Sequence, residues 1–176
     1  MEAKARISTI NLVITALFIA LSFVGANIKI FGTIAFDSLP AFLAALLLGP
    51  VYGAAIGFLG HLFTALTSGF PLGVPMHMVI AVSMAITMLG FGTTYRGLKS
   101  KIPTAGGLAV TVIVGIILNG PVSLALSMGA MALMAGKDAA FSLLAMLPVL
   151  ILASAANILI SIIVFKSMEK IRGKIA

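Results

Sequence analysis

Nine of the eleven basic residues of this chain lie in three short clusters, and the stretches between the clusters are almost entirely apolar. The clusters occupy positions 4–6, 96–101 and 166–174. Charged residues make up 9% of the chain, whereas a soluble domain carries about 25%. With a mean hydropathy of +1.26, this pattern predicts a membrane protein that crosses the bilayer several times.

The positions of the clusters predict the number of crossings. Loops rich in Lys and Arg are retained on the cytoplasmic side, so each apolar stretch between two clusters must cross the bilayer an even number of times. A crossing needs about 20 residues, which leaves room for four in the first stretch and two in the second. The sequence therefore predicts an all-α polytopic membrane protein, a single domain over 1–176, with six transmembrane helices and both termini cytoplasmic. The predicted spans are 7–28, 39–49, 51–69, 75–95, 107–134 and 139–165.

The second span is too short for a full crossing. Only about a dozen residues separate Ser38 from Gly49. Either this helix is short and reaches a recessed turn, or part of the 29–38 loop enters the membrane. Non-helical backbone is tolerated at that depth only where protein covers it or where it lines a cavity.

Proline and glycine suggest how the helices pack. Pro121 and Pro148 are predicted near the middles of the fifth and sixth spans, where proline bends a helix and frees backbone carbonyls, as at the wall of a cavity. Gly49, Gly53 and Gly57 recur on one face of the third helix, a spacing that favours close packing within the molecule over docking of a partner.

Polar side chains in and beside the spans are the candidate ligand contacts, because a polar group in hydrocarbon must meet a partner helix, a water molecule or a ligand. For Asn119 and Asn157, interhelical bonding and ligand contact both stay open. Asp37 is either a helix-capping carboxylate or a ligand contact, and His61 is expected to be a hydrogen-bonded core residue. The candidate substrate-binding residues are Asn27, Lys29, Phe36, Asp37, Phe70, Met76, His77, Asn119 and Asn157.

Several functions lack the residues they need. The chain has no cysteine, and its two histidines have no carboxylate at ligand spacing, so no metal site, thiolate cofactor site or disulfide is expected. No phosphate loop and no nucleophile–base set occurs, so an enzyme is not expected and neither is a cofactor. The net charge of +7 lies in loops without interleaved aromatic residues, which argues against nucleic acid. A chain of intramembrane acids is missing as well, so transport would draw its energy from another protein.

The order of these segments resembles that of the substrate-binding S components of energy-coupling factor (ECF) vitamin transporters. The string FDSLPAFLAALLLGPVYGAAIGFLGHLFTALTSGFPLGVPMHMVIA is similar to their outer loop, short second helix, Gly-Pro turn and glycine-faced third helix. Ala16 and Ala20 match the A-x-x-x-A element with which the first helix of an S component docks on its partner. The resemblance implies a multi-pass subunit of the bacterial plasma membrane. Such a subunit captures a vitamin in a pocket formed by the first outer loop and the fourth to sixth helices. An ECF transmembrane subunit and two ATPase subunits then drive its release inside.

The resemblance says less about the ligand. The string IALSFVGANIKI…GTIAFDSLPAFLAALLLGP is most similar to members assigned to alpha-ribazole or related cobalamin precursors, and it leaves open riboflavin, pantothenate and a queuosine precursor. The Met-His start of the metal-transporting members is missing, which disfavours a metal substrate. The residues also leave open a stand-alone small-molecule carrier and a structural or assembly subunit of the membrane.

Overall fold

A computed structural model describes residues 9–30 and 34–175, and helices account for nearly all of them. A two-stranded antiparallel hairpin between the first two helices is the exception, with Lys29 opposite Ala35 and Ile30 opposite Ile34. In chain order the elements are α1 (Thr9–Asn27), β1 (Lys29–Ile30), β2 (Ile34–Ala35), α2 (Leu39–Leu47), α3 (Pro50–Thr67), α4 (Val74–Leu98), α5 (Thr104–Ile117), a π-helical segment (Leu118–Val122), α6 (Ser123–Ala135), α7 (Lys137–Ser142), a 3₁₀ segment (Leu143–Met146) and α8 (Leu147–Ile175).

Within the described residues, five helical segments are long and apolar enough to cross a membrane. They are Thr9–Asn27, Pro50–Thr67, Val74–Leu98, Thr104–Ala135 and Lys137–Ile171. The chain is therefore an all-helical integral membrane protein, apart from the small hairpin. The count of six spans and the cytoplasmic position of both termini stay predictions, and the first basic cluster lies outside the described residues.

The remaining helix, α2, is short, as its sequence predicted. Its nine residues extend about 14 Å, less than half the thickness of a bilayer core. Every residue from Pro40 to Leu46 is buried, because α1, α3, α4 and α8 all pack against α2. At its centre Phe42 meets Phe91 of α4 edge-on, with ring centroids 4.9 Å apart. The core of the protein is built around this helix.

The hairpin is anchored to the end of α1. The backbone N–H of Phe36 donates to the carbonyl oxygen of Gly25 at 3.1 Å. A side chain at position 25 would collide with the Phe36 carbonyl, so glycine is needed for this approach. The sequence predicted no strands here, because β1 and β2 have only two residues each and follow an asparagine that ends a helix.

The glycines of α3 serve packing within the molecule, as their spacing predicted. An added Cβ at Gly53 would lie 2.6 Å from the Cβ of Ala45 on α2. At Gly60 it would lie 2.8 Å from the Cβ of Ser22 on α1. Small residues here let the backbones of α1, α2 and α3 come close together.

The two prolines of the long helices have different roles. Pro121 lies inside the π-helical segment, where its missing N–H fits the interrupted hydrogen-bond ladder. Pro148 is the second residue of α8 but lies inside the 35-residue apolar segment Lys137–Ile171, so its position near the middle of a span stays a prediction. The helix restarts there after the 3₁₀ segment, and proline is tolerated in a first turn because that N–H has no partner in the helix.

The described basic clusters meet at one end of the bundle, here called the basic end. The ring of Tyr95 near the end of α4 lies 5.5 Å from that of Phe165 in α8. A guanidinium nitrogen of Arg96 donates to the carbonyl oxygen of Leu48 at 3.0 Å and so satisfies the exposed C-terminus of α2. The opposite end, which carries the β1–β2 hairpin, is here called the hairpin end.

Candidate functional site

A cavity of about 210 Å³ lies where the connection between the hairpin and α2 faces α3, α4, α6 and α8. Six of its lining residues are polar, although the surroundings are apolar. The lining residues are Ala35, Asp37, Ser38, His61, Ile80, Met84, Asn119, Ser123, Leu150, Ala153 and Asn157. This mixture of apolar walls and a few convergent polar groups is typical of small-molecule sites.

Asn157 of α8 is the most constrained polar group of the cavity. Its side chain is 1% exposed, and its amide nitrogen donates to the carbonyl oxygens of Ala35 at 2.9 Å and of Ala153 at 2.8 Å. The bond to Ala35 joins β2 to α8, and both residues line the cavity. The amide oxygen Oδ1 is buried and has no hydrogen-bond partner among the described residues. An unpaired buried acceptor costs about 1–3 kcal/mol, so this oxygen is suited to accept a bond from a ligand.

The π-helical segment determines how Asn119 meets α8. Asn119 Nδ2 donates to the hydroxyl of Ser154 at 2.8 Å, and that hydroxyl donates to the carbonyl oxygen of Leu150. The extra residue of a π-helical turn shifts the side chains that follow it, and such turns are frequent at functional sites. Here the segment brings both Asn119 and Ser123 to the cavity wall.

The two histidines of the chain form a pair. His61 Nε2 and His77 Nδ1 are 3.2 Å apart, with the rings stacked at an angle of 29°. His61 lines the cavity, whereas His77 lies behind it and packs edge-on against Phe70. His77 Nε2 is buried without a described partner. In a neutral histidine one ring nitrogen carries a proton and the other does not. If His77 Nδ1 donates to His61 Nε2, then His61 Nδ1 carries a proton and donates into its surroundings. If His61 Nε2 donates instead, His61 Nδ1 is an acceptor.

The hairpin–α2 connection contributes an acidic residue and a hydroxyl group. Ser38 is buried and occupies the N-cap position of α2, but its side chain makes no capping hydrogen bond. Asp37 is half-buried and is the only carboxylate of the lining. The cavity therefore combines one acid with amide, hydroxyl and imidazole groups, a set suited to binding a polar molecule rather than to covalent chemistry.

Comparison with known families identifies the chain. The family of ECF transporter substrate-specific components matches residues 11–169. This chain belongs to that family. The resemblance to S components is therefore confirmed, and the protein is a membrane-embedded, substrate-binding subunit of a transporter rather than an enzyme. Members of the family bind a small-molecule substrate and associate with ECF membrane and ATPase modules. No curated protein matches the chain.

Three of the predicted binding residues come together in the cavity of this S component: Asp37, Asn119 and Asn157. The other predicted residues lie elsewhere. The amide of Asn27 donates to the Phe23 carbonyl at 2.8 Å on the exposed side of α1, so it is satisfied locally. The side chain of Lys29 lies outside the described part of the structure.

The aromatic and sulfur-containing candidates lie around the cavity without lining it. Phe36 is half-buried beside Gly25, and Met76 is 1% exposed within the protein. Phe70 and His77 pack on each other behind His61. None of these four residues lines the cavity. For Met76 and His77 the reason is that the part of α4 that faces the cavity comes later, at Ile80 and Met84.

Sequence reasoning missed three polar residues of the cavity: Ser38, His61 and Ser123. Ser123 follows Asn119 by four residues and could have been found from helical periodicity. For His61, a hydrogen-bonded core residue was predicted and that bond exists, but its position on the cavity wall depends on how α3 crosses α4. Ser38 follows the candidate Asp37 directly, but nothing in the sequence distinguishes it from a helix-capping serine.

The predicted docking residues of the S component lie on its surface. Ala16 and Ala20 are exposed on α1 and line a shallow apolar groove with Ile19, Phe23 and Phe63. Phe63 belongs to α3, so the groove runs beside the contact between α1 and α3, in which Ser22 packs against Gly60. A docking role for the two alanines stays a prediction.

Proposed function

We propose that this S component captures a small vitamin or vitamin precursor in the 210 Å³ cavity and delivers it to ATP-driven uptake across the bacterial plasma membrane. The unpaired Oδ1 of Asn157 carries the proposal. Buried polar groups in a protein are normally hydrogen-bonded, so an acceptor left without a partner in a cavity indicates that a ligand supplies the missing donor. The basic end is proposed to face the cytoplasm and the hairpin end the outside, in agreement with the positive-inside rule.

The lining supports a ligand with hydrogen-bond donors and one flat or apolar part. Asn157 Oδ1 and Asp37 both accept hydrogen bonds, so hydroxyl or amine groups of the ligand suit them. Ile80, Met84 and Leu150 form an apolar wall on which a ring can pack. A carboxylate ligand such as pantothenate is disfavoured, because its charge would lie near that of Asp37.

The size of the cavity points to a compact ligand. Its volume is below the about 300–1,000 Å³ of pockets that enclose drug-sized molecules. Alpha-ribazole, with one aromatic ring system and a ribose, suits an apolar wall opposite acceptor groups, and the sequence resemblance points the same way. Riboflavin and a queuosine precursor are the next candidates.

The proposal is tested by native mass spectrometry of the purified chain, which identifies a retained molecule without a prior guess. Calorimetry with alpha-ribazole, riboflavin, pantothenate and a queuosine precursor should then show saturable binding of one of them. Absence of both a retained molecule and a binding signal would favour a structural subunit instead.

A second measurement separates an S component that needs its module from a stand-alone carrier. Sealed vesicles containing only this chain should not accumulate the ligand, whereas vesicles that also contain the ECF membrane and ATPase subunits should do so with ATP. Accumulation by the chain alone under an ion gradient would contradict the proposed division of labour.

A further inference from the structure

A second cavity lies at the basic end, far from the proposed vitamin site. It has a volume of about 160 Å³ and is enclosed by the end of α4, the beginning of α5 and the last part of α8. Its lining residues are Tyr95, Lys99, Thr104, Gly107, Leu108, Lys166 and Glu169. None of them lines the cavity at the hairpin end.

Two ammonium groups and one carboxylate line this second cavity. Lys166 Nζ pairs with a carboxylate oxygen of Glu169 at 2.8 Å, and both side chains are somewhat more than a third exposed. Lys99 makes no ion pair with any residue in the described ranges, and its ammonium group lies 5.8 Å from the centre of the Tyr95 ring. One positive charge of the cavity is therefore left uncompensated. The surrounding surface adds the exposed Arg96 and Lys101.

The hydroxyl of Tyr95 is a polar group without a partner here. Tyr95 is only 5% exposed and lines the cavity, with its ring packed edge-on against Phe165. No hydrogen bond to a residue that the structure describes involves its hydroxyl, and this oxygen is not among the fully buried polar atoms without a partner. The hydroxyl is therefore accessible from the cavity and can donate to a group that enters it.

The beginning of α5 adds a third kind of donor. This helix of 14 residues starts at Thr104, and both Thr104 and Gly107 of its first turn line the cavity. The first N–H groups of a helix have no partners within it and carry partial positive charge, which favours anions. Gly107 is buried against Leu98 and Ile102, and its N–H donates to the carbonyl oxygen of Pro103 at 3.0 Å, so the N–H groups left for an anion are those of residues 104–106.

We infer that this cavity binds a phosphate group through Lys99, the Tyr95 hydroxyl and the first turn of α5. A phosphate accepts several hydrogen bonds at once and matches a cation, a phenol and a helix N-terminus. Its source is either the headgroup of an anionic lipid or a free phosphate. The site stands independently of the vitamin proposed for the hairpin end.

The test is native mass spectrometry of the full chain in detergent, titrated with phosphatidylglycerol and separately with inorganic phosphate. Phosphatidylcholine serves as the zwitterionic comparison. The variants are K99Q, Y95F and E169Q, with K101Q as the matched control, because Lys101 is an exposed lysine two residues away that does not line the cavity. Circular dichroism confirms that each variant keeps its helices.

We expect wild-type chain and K101Q to retain phosphatidylglycerol over phosphatidylcholine. K99Q should weaken retention about tenfold, because it removes a positively charged donor. Y95F should weaken it about threefold, because it removes a neutral donor, whose bond to the phosphate is weaker. E169Q should strengthen it, because Lys166 is then released toward the anion. Retention that inorganic phosphate displaces at millimolar concentration would assign the site to free phosphate, and retention that it leaves unchanged would assign it to the lipid.

Two outcomes would overturn the inference, and a third would contradict the expected release of Lys166. Equal losses in K99Q and K101Q would mean that the lipid follows surface charge alone. Binding of neither probe by the wild-type chain would mean that the cavity holds no phosphate group. Weaker retention in E169Q than in wild type would likewise contradict the role given to Lys166.

Discussion

Replacing Asn157 by alanine should weaken vitamin binding far more than it destabilises the protein. In the ligand-free protein the change removes the bond to the Ala35 carbonyl, which costs about 1–3 kcal/mol when that acceptor is left buried. It also removes the unpaired Oδ1, whose burial destabilises the ligand-free protein by a similar amount, so the two effects partly cancel. The net loss of stability is therefore about 0–2 kcal/mol, or a decrease in Tm of no more than about 8 °C.

The loss of affinity has two sources that add. The ligand loses its hydrogen bond to Oδ1, worth about 1 kcal/mol, and binding must then also order a hairpin that α8 no longer holds, at a similar cost. Together these correspond to a dissociation constant about 10- to 30-fold higher. Calorimetry measures this constant, and thermal unfolding without ligand measures the stability.

Ser161→Ala is the matched control. Ser161 lies one turn further along α8, is fully buried and bonds only to the Ile158 carbonyl of its own helix. It does not line the cavity, so S161A should bind like the wild type. Wild-type affinity in N157A, or equal losses in both variants, would refute the placement of the site.

Three further predictions concern other parts of the molecule. H61F should raise the dissociation constant of the ligand at least tenfold and H77Q about threefold, since His77 affects the ligand only through its bond to His61. Equal increases of the dissociation constant in calorimetry would contradict this indirect role of His77. A20W should bind the ligand normally but block ATP-driven uptake with the partner subunits, and unimpaired uptake would remove the α1 groove as a docking surface. R96Q should lower Tm by about 2–4 °C through loss of the bond to Leu48, while K101Q should leave Tm unchanged.

The sequence was sufficient for the helical architecture because that rests on local patterns. Charge clusters and apolar lengths locate the long helices, and the short stretch before Gly49 predicts either a short second helix or a preceding loop that enters the membrane. The glycine spacing on α3 predicts close packing, since small residues matter only where backbones meet. Each of these inferences depends on residues close together in the chain.

The site was predictable only in part, because it depends on contacts between distant segments. Asn157 and Ala35 are 122 positions apart, and no local pattern indicates that they meet. His77 was predicted as a ligand contact and His61 as a core residue, yet the crossing of α3 and α4 puts His61 on the cavity wall. Pro121 predicted a bend with free carbonyls, but neither the π-helical turn there nor its effect on the direction of Asn119 could be predicted from the sequence.

The burial of α2 from Pro40 to Leu46 has a consequence for biogenesis. A segment of nine residues offers the translocon too little apolar length to be recognised on its own, and its neighbours in the folded protein come from both ends of the chain. We expect α2 to enter the bilayer together with α3, to which the tight turn at Gly49 joins it. Its packing is then completed only after α8 has been synthesised. Until then its buried face lies against lipid, so quality control of this subunit should act late, on chains that lack their last helix.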